Sequence, residues 1–258
     1  VKVLAFKRFG RNVARLEISA AFYARALGFR PVGEIAVDAA LAALLGVARV
    51  RRLRMRLGAQ EIELSECFPA GAAYPVGAAA NDLCFQHIAV VTPDIAVAYG
   101  QALSQAAVPI STSGPQRLPE VTAWKFRDPD GHPLELLQFL NESAPGFDHS
   151  AISVADVAKS GAFYEGLGLA RAAVTLNRGE TQDALDGLTG AVADVVALQP
   201  PQATPHVELL HYRAPARGSP SVVAPSDIAA DRMVFAGVED KFLQDPDGHY
   251  VVVEPSSP

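Results

Sequence analysis

One tetrapeptide occurs twice and constrains the chain more than anything else in it. Asp128-Pro129-Asp130-Gly131 and Asp245-Pro246-Asp247-Gly248 are each followed by a histidine and then by an apolar run. Proline fixes φ, aspartate tolerates turn geometry and glycine permits positive φ, so each copy reads as a tight turn between two strands. Beyond the first turn, Leu134, Leu136 and Gln138 alternate with Glu135, Leu137 and Phe139, which puts Glu135 on an apolar face. A carboxylate there requires a metal, a cation or a wetted pocket as partner. The recurrence points to an internal duplication.

Four similar units follow from the periodicity. In the first, residues 1–67, a strand at Val3–Phe9 precedes a helix with Leu16, Ala20, Tyr23 and Leu27 at helical spacing, stopped by Gly28. A strand, a short Ala/Leu helix near Asp38–Leu45 and two more strands complete it. The arginines at 49, 51, 52, 54 and 56 alternate with Val50, Leu53, Met55 and Leu57, so they read as the solvated face of a strand and not as a nucleic-acid patch. An Ala/Gly/Pro linker leads to the second unit, 82–140, whose helix is expected to start at Thr92-Pro93-Asp94 with Thr92 as cap.

The third unit repeats the first: Phe163-Tyr164 and Leu167-Gly168 answer Phe22-Tyr23 and Leu27-Gly28, and Glu208 aligns with Glu63. A second Pro/Gly/Ser-rich linker, 213–225, follows. In the fourth unit Arg232 aligns with His87, but the interval to its Asp-Pro-Asp-Gly turn is far shorter. A helix and a strand are absent there, and an omitted stretch is the favoured explanation, because an interrupted sheet would expose backbone.

The composition excludes several classes. Half of the 258 residues are hydrophobic, and the charge balance of 22 Lys+Arg against 28 Asp+Glu gives −6, which disfavours nucleic acid as a partner. Cys67 and Cys84 show no metal-finger or redox spacing. No apolar run reaches the roughly 18 residues of a membrane span, and the N-terminus lacks signal-peptide features, so a cytoplasmic protein without membrane contact is expected.

The fourfold unit, the Phe-Tyr-x-x-x-Leu-Gly segment after the first helix and the Asp-Pro-Asp-Gly-x-x-x-Glu segment near unit ends resemble the vicinal oxygen chelate superfamily, which includes glyoxalase I, bleomycin-resistance proteins and extradiol dioxygenases. The resemblance implies an α+β fold of four βαβββ units paired into two domains, each an open, curled mixed sheet around a cleft. Paired in chain order, these are residues 1–142 and 146–258. It further implies four ligand positions per domain: Arg8, Glu63, His87 and Glu135 in the first, and His149, Glu208, Arg232 and Val252 in the second, with Glu254 two residues beyond Val252.

In the first set His87, Glu63 and Glu135 suit Zn²⁺, Ni²⁺, Fe²⁺ or Mn²⁺. Arg8 cannot ligate. It either bridges Glu63 and Glu135 in place of a metal, or leaves the metal and holds an anionic substrate, with Trp124 as a further wall for substrate. Glu63 and Glu135 are the candidate bases. In the second set only His149 matches the two-His, one-Glu arrangement of extradiol enzymes, which counts against ring cleavage. His132 and His249 are expected to face solvent. The functional expectation is a metal-dependent, glyoxalase-like enzyme acting on a small oxygenated metabolite. The alternative is a metal-free small-molecule-binding protein of the drug-sequestering kind. Four units can close both clefts as a monomer, and a homodimer is equally open.

Overall fold

The structure, a computed structural model, describes residues 1–141, 144–202, 205–216 and 223–255. Part of the expected second linker therefore lies outside the described residues. The first unit runs β1 (Val3–Asn12), α1 (Leu16–Leu27), β2 (Arg30–Val37), α2 (Ala39–Leu45), β3 (Arg49–Leu57) and β4 (Gln60–Phe68). The second is β5 (Gln86–Val91), α3 (Ile95–Ser104), the short β6 (Val108–Pro109) and β7 (Gln116–Arg117), then β8 (Val121–Arg127) and β9 (Pro133–Phe139). The third has β10 (Gly146–Ser153), α4 (Val157–Leu167), β11 (Ala170–Arg178), α5 (Glu180–Asp186), β12 (Val192–Gln199) and β13 (His206–Ala214). Among the described residues the fourth holds β14 (Arg232–Gly237), β15 (Lys241–Gln244) and β16 (Tyr250–Pro255).

The fold is α+β, with two open mixed sheets. Their composition departs from chain order. The first sheet runs β15-β16-β14-β1-β4-β3-β2, so it joins the fourth unit to the first. The second runs β11-β12-β13-β10-β5-β9-β8-β6, joining the third unit to the second. The seams are antiparallel: Phe9 opposite Met233 in one sheet, Ala151 opposite His87 in the other. Units 1 and 2 still touch, because α1 and α3 pack together over one continuous core. That helix contact favours nothing about strand pairing, and strand pairing decides which side chains share a cleft.

The Asp-Pro-Asp-Gly turns tie the two sheets together. Asp128 accepts from the backbone N–H of Asp130 and His132, and Gly131 sits at φ +96°. Asp130 then reaches unit 1, accepting from Ala14 N–H and Ser19 Oγ at the start of α1. The second copy does the same two units on. Asp245 holds Asp247 and His249 N–H, and Asp247 accepts from Ala155 N–H and Ser160 Oγ at the start of α4. The following histidines are buried, not solvent-facing as expected, because each fixes a cross-sheet contact: His132 bonds Asp128 and Ile228 O, and His249 bonds Ser153 O.

Beneath the first turn lies a buried ionic cluster. The Arg11 guanidinium grips Asp231 in the fourth unit and donates to Tyr23, which donates to Asp128. Burial opposes ionisation of Asp128, yet His132 and Arg11 hold its carboxyl down to about 2. Removing one partner of a buried pair strands the other charge, at about 3–5 kcal/mol. Asp231→Ala is expected to lower unfolding stability by that amount in denaturant titrations, and an unchanged midpoint would show that the cluster contributes nothing.

Two local expectations need correction. Helix α3 is capped by Asp94, whose carboxylate accepts from Val97 N–H, while Thr92 Oγ1 accepts from Asp94 N–H one step earlier. In the fourth unit, which lacks a helix and a strand as read from the sequence, β14 turns through residues 238–240 into β15 and β16 pairs with both, so the ladder continues and the interrupted sheet that favoured an omitted stretch does not arise.

Candidate metal centre in the second sheet

The sheet topology regroups the predicted positions. His87 on β5, Glu135 on β9, His149 on β10 and Glu208 on β13 share the cleft of the second sheet. Arg8, Glu63, Arg232 and Glu254 belong to the first sheet, so Glu63 and Arg8 are not neighbours of His87. Each centre draws on strands from two units. The chain-order quartets mixed residues from both clefts.

The four side chains converge closely. His87 Nε2 lies 3.1 Å from Glu135 Oε2, and His149 Nε2 lies 3.5 Å from the same oxygen and 3.6 Å from Glu208 Oε2. Donor atoms of His87, Glu135 and His149 all fall within 4.8 Å of one another. Donors about 2.1 Å from an ion are about 3.0–3.4 Å apart at adjacent corners of an octahedron or tetrahedron. The His87–Glu135 spacing of 3.1 Å falls on such an edge, and the two His149 spacings, 3.5 and 3.6 Å, are slightly longer. His149 Nε2 and His87 Nδ1 are buried without a hydrogen-bond partner, which a folded protein tolerates where another ligand completes the site. The donor set therefore fits a divalent transition metal.

Neighbouring groups set the charges. Burial holds His87 below its ordinary range, leaving the neutral, ligating imidazole. Burial would also lower His149, but Glu208, Asp148 and Glu135 outweigh it and push the imidazole well above its usual value. Asp148 Oδ2 is 2.9 Å from His149 Nδ1, which aims Nε2 at the cleft in the carboxylate–histidine manner of metal sites. Glu135 is raised by burial but pulled well below the carboxylate range by Lys125 and the two histidines. Glu208 is likewise held down to about 2 by His149 and His206 against burial.

These shifts have a sign. A raised His149 contributes stability that is complete below its ordinary value of 6.5 and disappears as pH rises through the folded value. The metal-stripped protein is thus expected to lose melting temperature as pH rises from 6.5 through the folded value of His149, at about 2–4 °C per kcal/mol, and His149→Gln to flatten that slope. A metal-stripped melting temperature that does not fall over this range would contradict the charged His149.

The cleft has a volume of about 190 Å³. Leu118, Val121, Leu137, Phe139, Leu185 and Leu210 give it apolar walls. Lys125 lines it too, its Nζ 2.6 Å from Asp186, which also accepts from Tyr212 Oη and Gln182 Nε2. Lys125 and Glu135 are cross-strand partners, so the ammonium stabilises the carboxylate beside it. Trp124 is not a cleft residue. It is fully buried on the opposite face of β8, stacked on Phe126 and edge-on to Tyr99, because period two turns it away from Ala123 and Lys125. That same alternation is the signal that would have found Lys125. Asp148, Asp186 and His206 carry no sequence signal before the sheet order is known.

The chain matches the family model of the glyoxalase/bleomycin resistance protein/dioxygenase superfamily over residues 5–136, a little over half its length, and belongs to that superfamily. No curated protein sequence matches it. Among solved structures it is similar to a glyoxalase I mutant from Zea mays, at 17% identity and a TM-score of 0.64, covering 98% of this chain and 91% of that one. A putative dioxygenase from Bacillus subtilis subsp. subtilis str. 168 is similar at 12% identity and a TM-score of 0.61, with 99% and 86% covered. At these identities the likeness establishes the fold. No helix among the described residues is long and apolar enough to cross a membrane.

Proposed function

We propose that this protein is a metal-dependent enzyme of the glyoxalase-like lyase/isomerase kind, moving a proton on a small oxygenated metabolite. The observation that carries the reading is the convergence of His87, Glu135, His149 and Glu208 from four strands of two units, with a buried, unpartnered imidazole nitrogen at its centre. His87, Glu135 and His149 would hold Zn²⁺, Ni²⁺, Fe²⁺ or Mn²⁺, with Glu208 beside them, and the ion would supply Lewis acidity to a pair of substrate oxygens.

The chain's own groups do the rest. His87 stays neutral by burial, and Asp148 fixes the ring of His149. The apolar walls exclude water and seat the body of the substrate, so charge developing beside the carboxylates is felt strongly. Of the two glutamates, Glu208 is the freer: its side chain is 22% accessible against 7% for Glu135. His206 lies against Oε1 and leaves Oε2 turned to the centre. Glu208 is therefore the base that takes the proton, and Glu135, locked by Lys125 and two histidines, is the fixed anion. The candidate base Glu63 stands in the other cleft. A second carboxylate facing the substrate favours proton transfer over ring cleavage, although two histidines and a glutamate are present.

The test is turnover by the metal-loaded full chain of thiol adducts of α-ketoaldehydes, with catechols alongside. The adducts are expected to isomerise, and Glu208→Gln to slow this by about 10²–10⁴-fold. Ring opening of the catechols, or tight binding of either compound without metal and without turnover, would replace this reading by the dioxygenase or the binding protein.

A further inference from the structure

The first sheet carries a second cleft of about 390 Å³, twice the volume of the cleft in the second sheet, and among the described residues no metal-ligand group lines it. Arg8 on β1 and Arg232 on β14 occupy the strand positions that His149 and His87 hold in the other sheet, and guanidinium cannot ligate a metal. Gly10 makes the substitution fit, since a Cβ there would lie 3.0 Å from Arg232 Nε.

Cations and carboxylates interleave around this cleft. Glu63 faces Arg8, Arg52 and Arg54 at 3.4, 3.5 and 3.2 Å. Asp38 takes Arg52 at 2.5 Å. Glu254 takes both Lys7, at 2.7 Å, and Arg8. Arg232 is fully buried and makes no ion pair among the described residues; its guanidinium rests on Asn12, Ala230 O and Ser65. Four cations, Lys7, Arg8, Arg52 and Arg54, thus meet Asp38, Glu63 and Glu254, and the exposed Asp240 at the rim brings the carboxylates to four as well. This occurs in a chain whose overall charge is −6. Of the arginines of β3, read from sequence as a solvated face, Arg52 and Arg54 turn to Glu63, while Arg51 and Arg56 pair with Glu66 and Glu61 outside the cleft.

The manner in which Arg8 meets Glu254 identifies the chemistry. Nη1 donates to one carboxylate oxygen at 2.8 Å and Nη2 to the other, the planar fork that guanidinium forms with a carboxylate. Glu254 reaches the fork from the rim on β16, two residues beyond the position that faces the cleft, with its side chain 27% accessible. Arg8 is 5% exposed, and its Nε, which makes no hydrogen bond, lies 3.4 Å from Glu63 Oε2.

We propose that the first-sheet cleft is a metal-independent binding site for a small organic carboxylate, held by Arg8 and Lys7, in which Glu254 serves as the chain's own displaceable occupant. This site stands apart from the proposed catalytic centre and does not depend on it. An incoming carboxylate takes the Arg8 fork and Glu254 swings to solvent, so occupancy is a competition between an internal and an external carboxylate.

Calorimetric titration of the metal-stripped full chain with benzoate, and separately with inorganic phosphate, tests this. Glu254→Gln removes the competitor and is expected to tighten benzoate binding by at least about tenfold. Arg8→Gln is expected to weaken it as much. Benzoate affinity unchanged or weakened by Glu254→Gln would overturn the proposal, and Glu254, being part-exposed, can be replaced without emptying the core, so this arm decides even where Arg8→Gln fails to fold. Phosphate binding tighter than benzoate would overturn the assignment to carboxylates.

Discussion

His149→Ala is expected to strip the protein of its metal, whereas Glu63→Gln and Arg8→Gln leave metal content unchanged. Elemental analysis of protein purified without chelator reads this directly. The reasoning is topological. His149 enters the cleft from β10, which pairs with β5, so it stands 3.5 Å from Glu135 although the two lie in different units. Losing a ligand from the inner sphere should cost more than about 100-fold in affinity, because changes one shell further out already cost about 10–100-fold. His149→Gln serves as the folding control, keeping a polar group between Glu135 and Glu208. Metal retained in His149→Ala but lost in Glu63→Gln would restore the chain-order quartet and overturn the regrouping.

A fragment ending at residue 142, the boundary suggested by the repeat, is expected not to fold. It contains β1 without β14 and β5 without β10, so both sheets are cut at their central seam. It also leaves Arg11 buried beside no Asp231. Two apolar strands would be left with unpaired edges, the condition that drives aggregation. Circular dichroism and size-exclusion chromatography distinguish the outcomes, and a soluble, cooperatively melting fragment would show that the halves are independent after all.

Much of this fold was legible because local chemistry carries it. Gly28 ends α1 at φ +78°, and Asp38 caps α2 through Leu41 N–H. Glu135 sits on an inner face, as its alternation with apolar neighbours required. His87, Glu135, His149 and Glu208 each fall on a ligand position that the superfamily resemblance implies, although the metal set expected from it was His87, Glu63 and Glu135. What the repeat could not convey was which unit pairs with which. Units that are near copies have near-identical strand patterns, so nothing local distinguishes β14 from β5 as the neighbour of β1. Long-range contacts decide it, such as Arg11 with Asp231 and His132 with Ile228 O. The histidines after the turns were misread for the same reason, since their partners are remote in sequence. Trp124 was misplaced because an aromatic residue suits a cleft wall and a core equally, and only the face of the strand separates the two.

The interlaced sheets bear on how the chain is made. The first unit leaves the ribosome first, but its edge strand β1 finds its partner only when β14 has been synthesised, with Phe9 waiting for Met233. The second and third units are consecutive and can close their sheet in the meantime. Contacts so distant in sequence slow the search for the native pairing, and a strand kept waiting is an invitation to intermolecular pairing. The metal-type cleft is thus assembled by the early-folding pair, while the arginine-lined cleft is completed last, when the C-terminal strands return to the beginning of the chain.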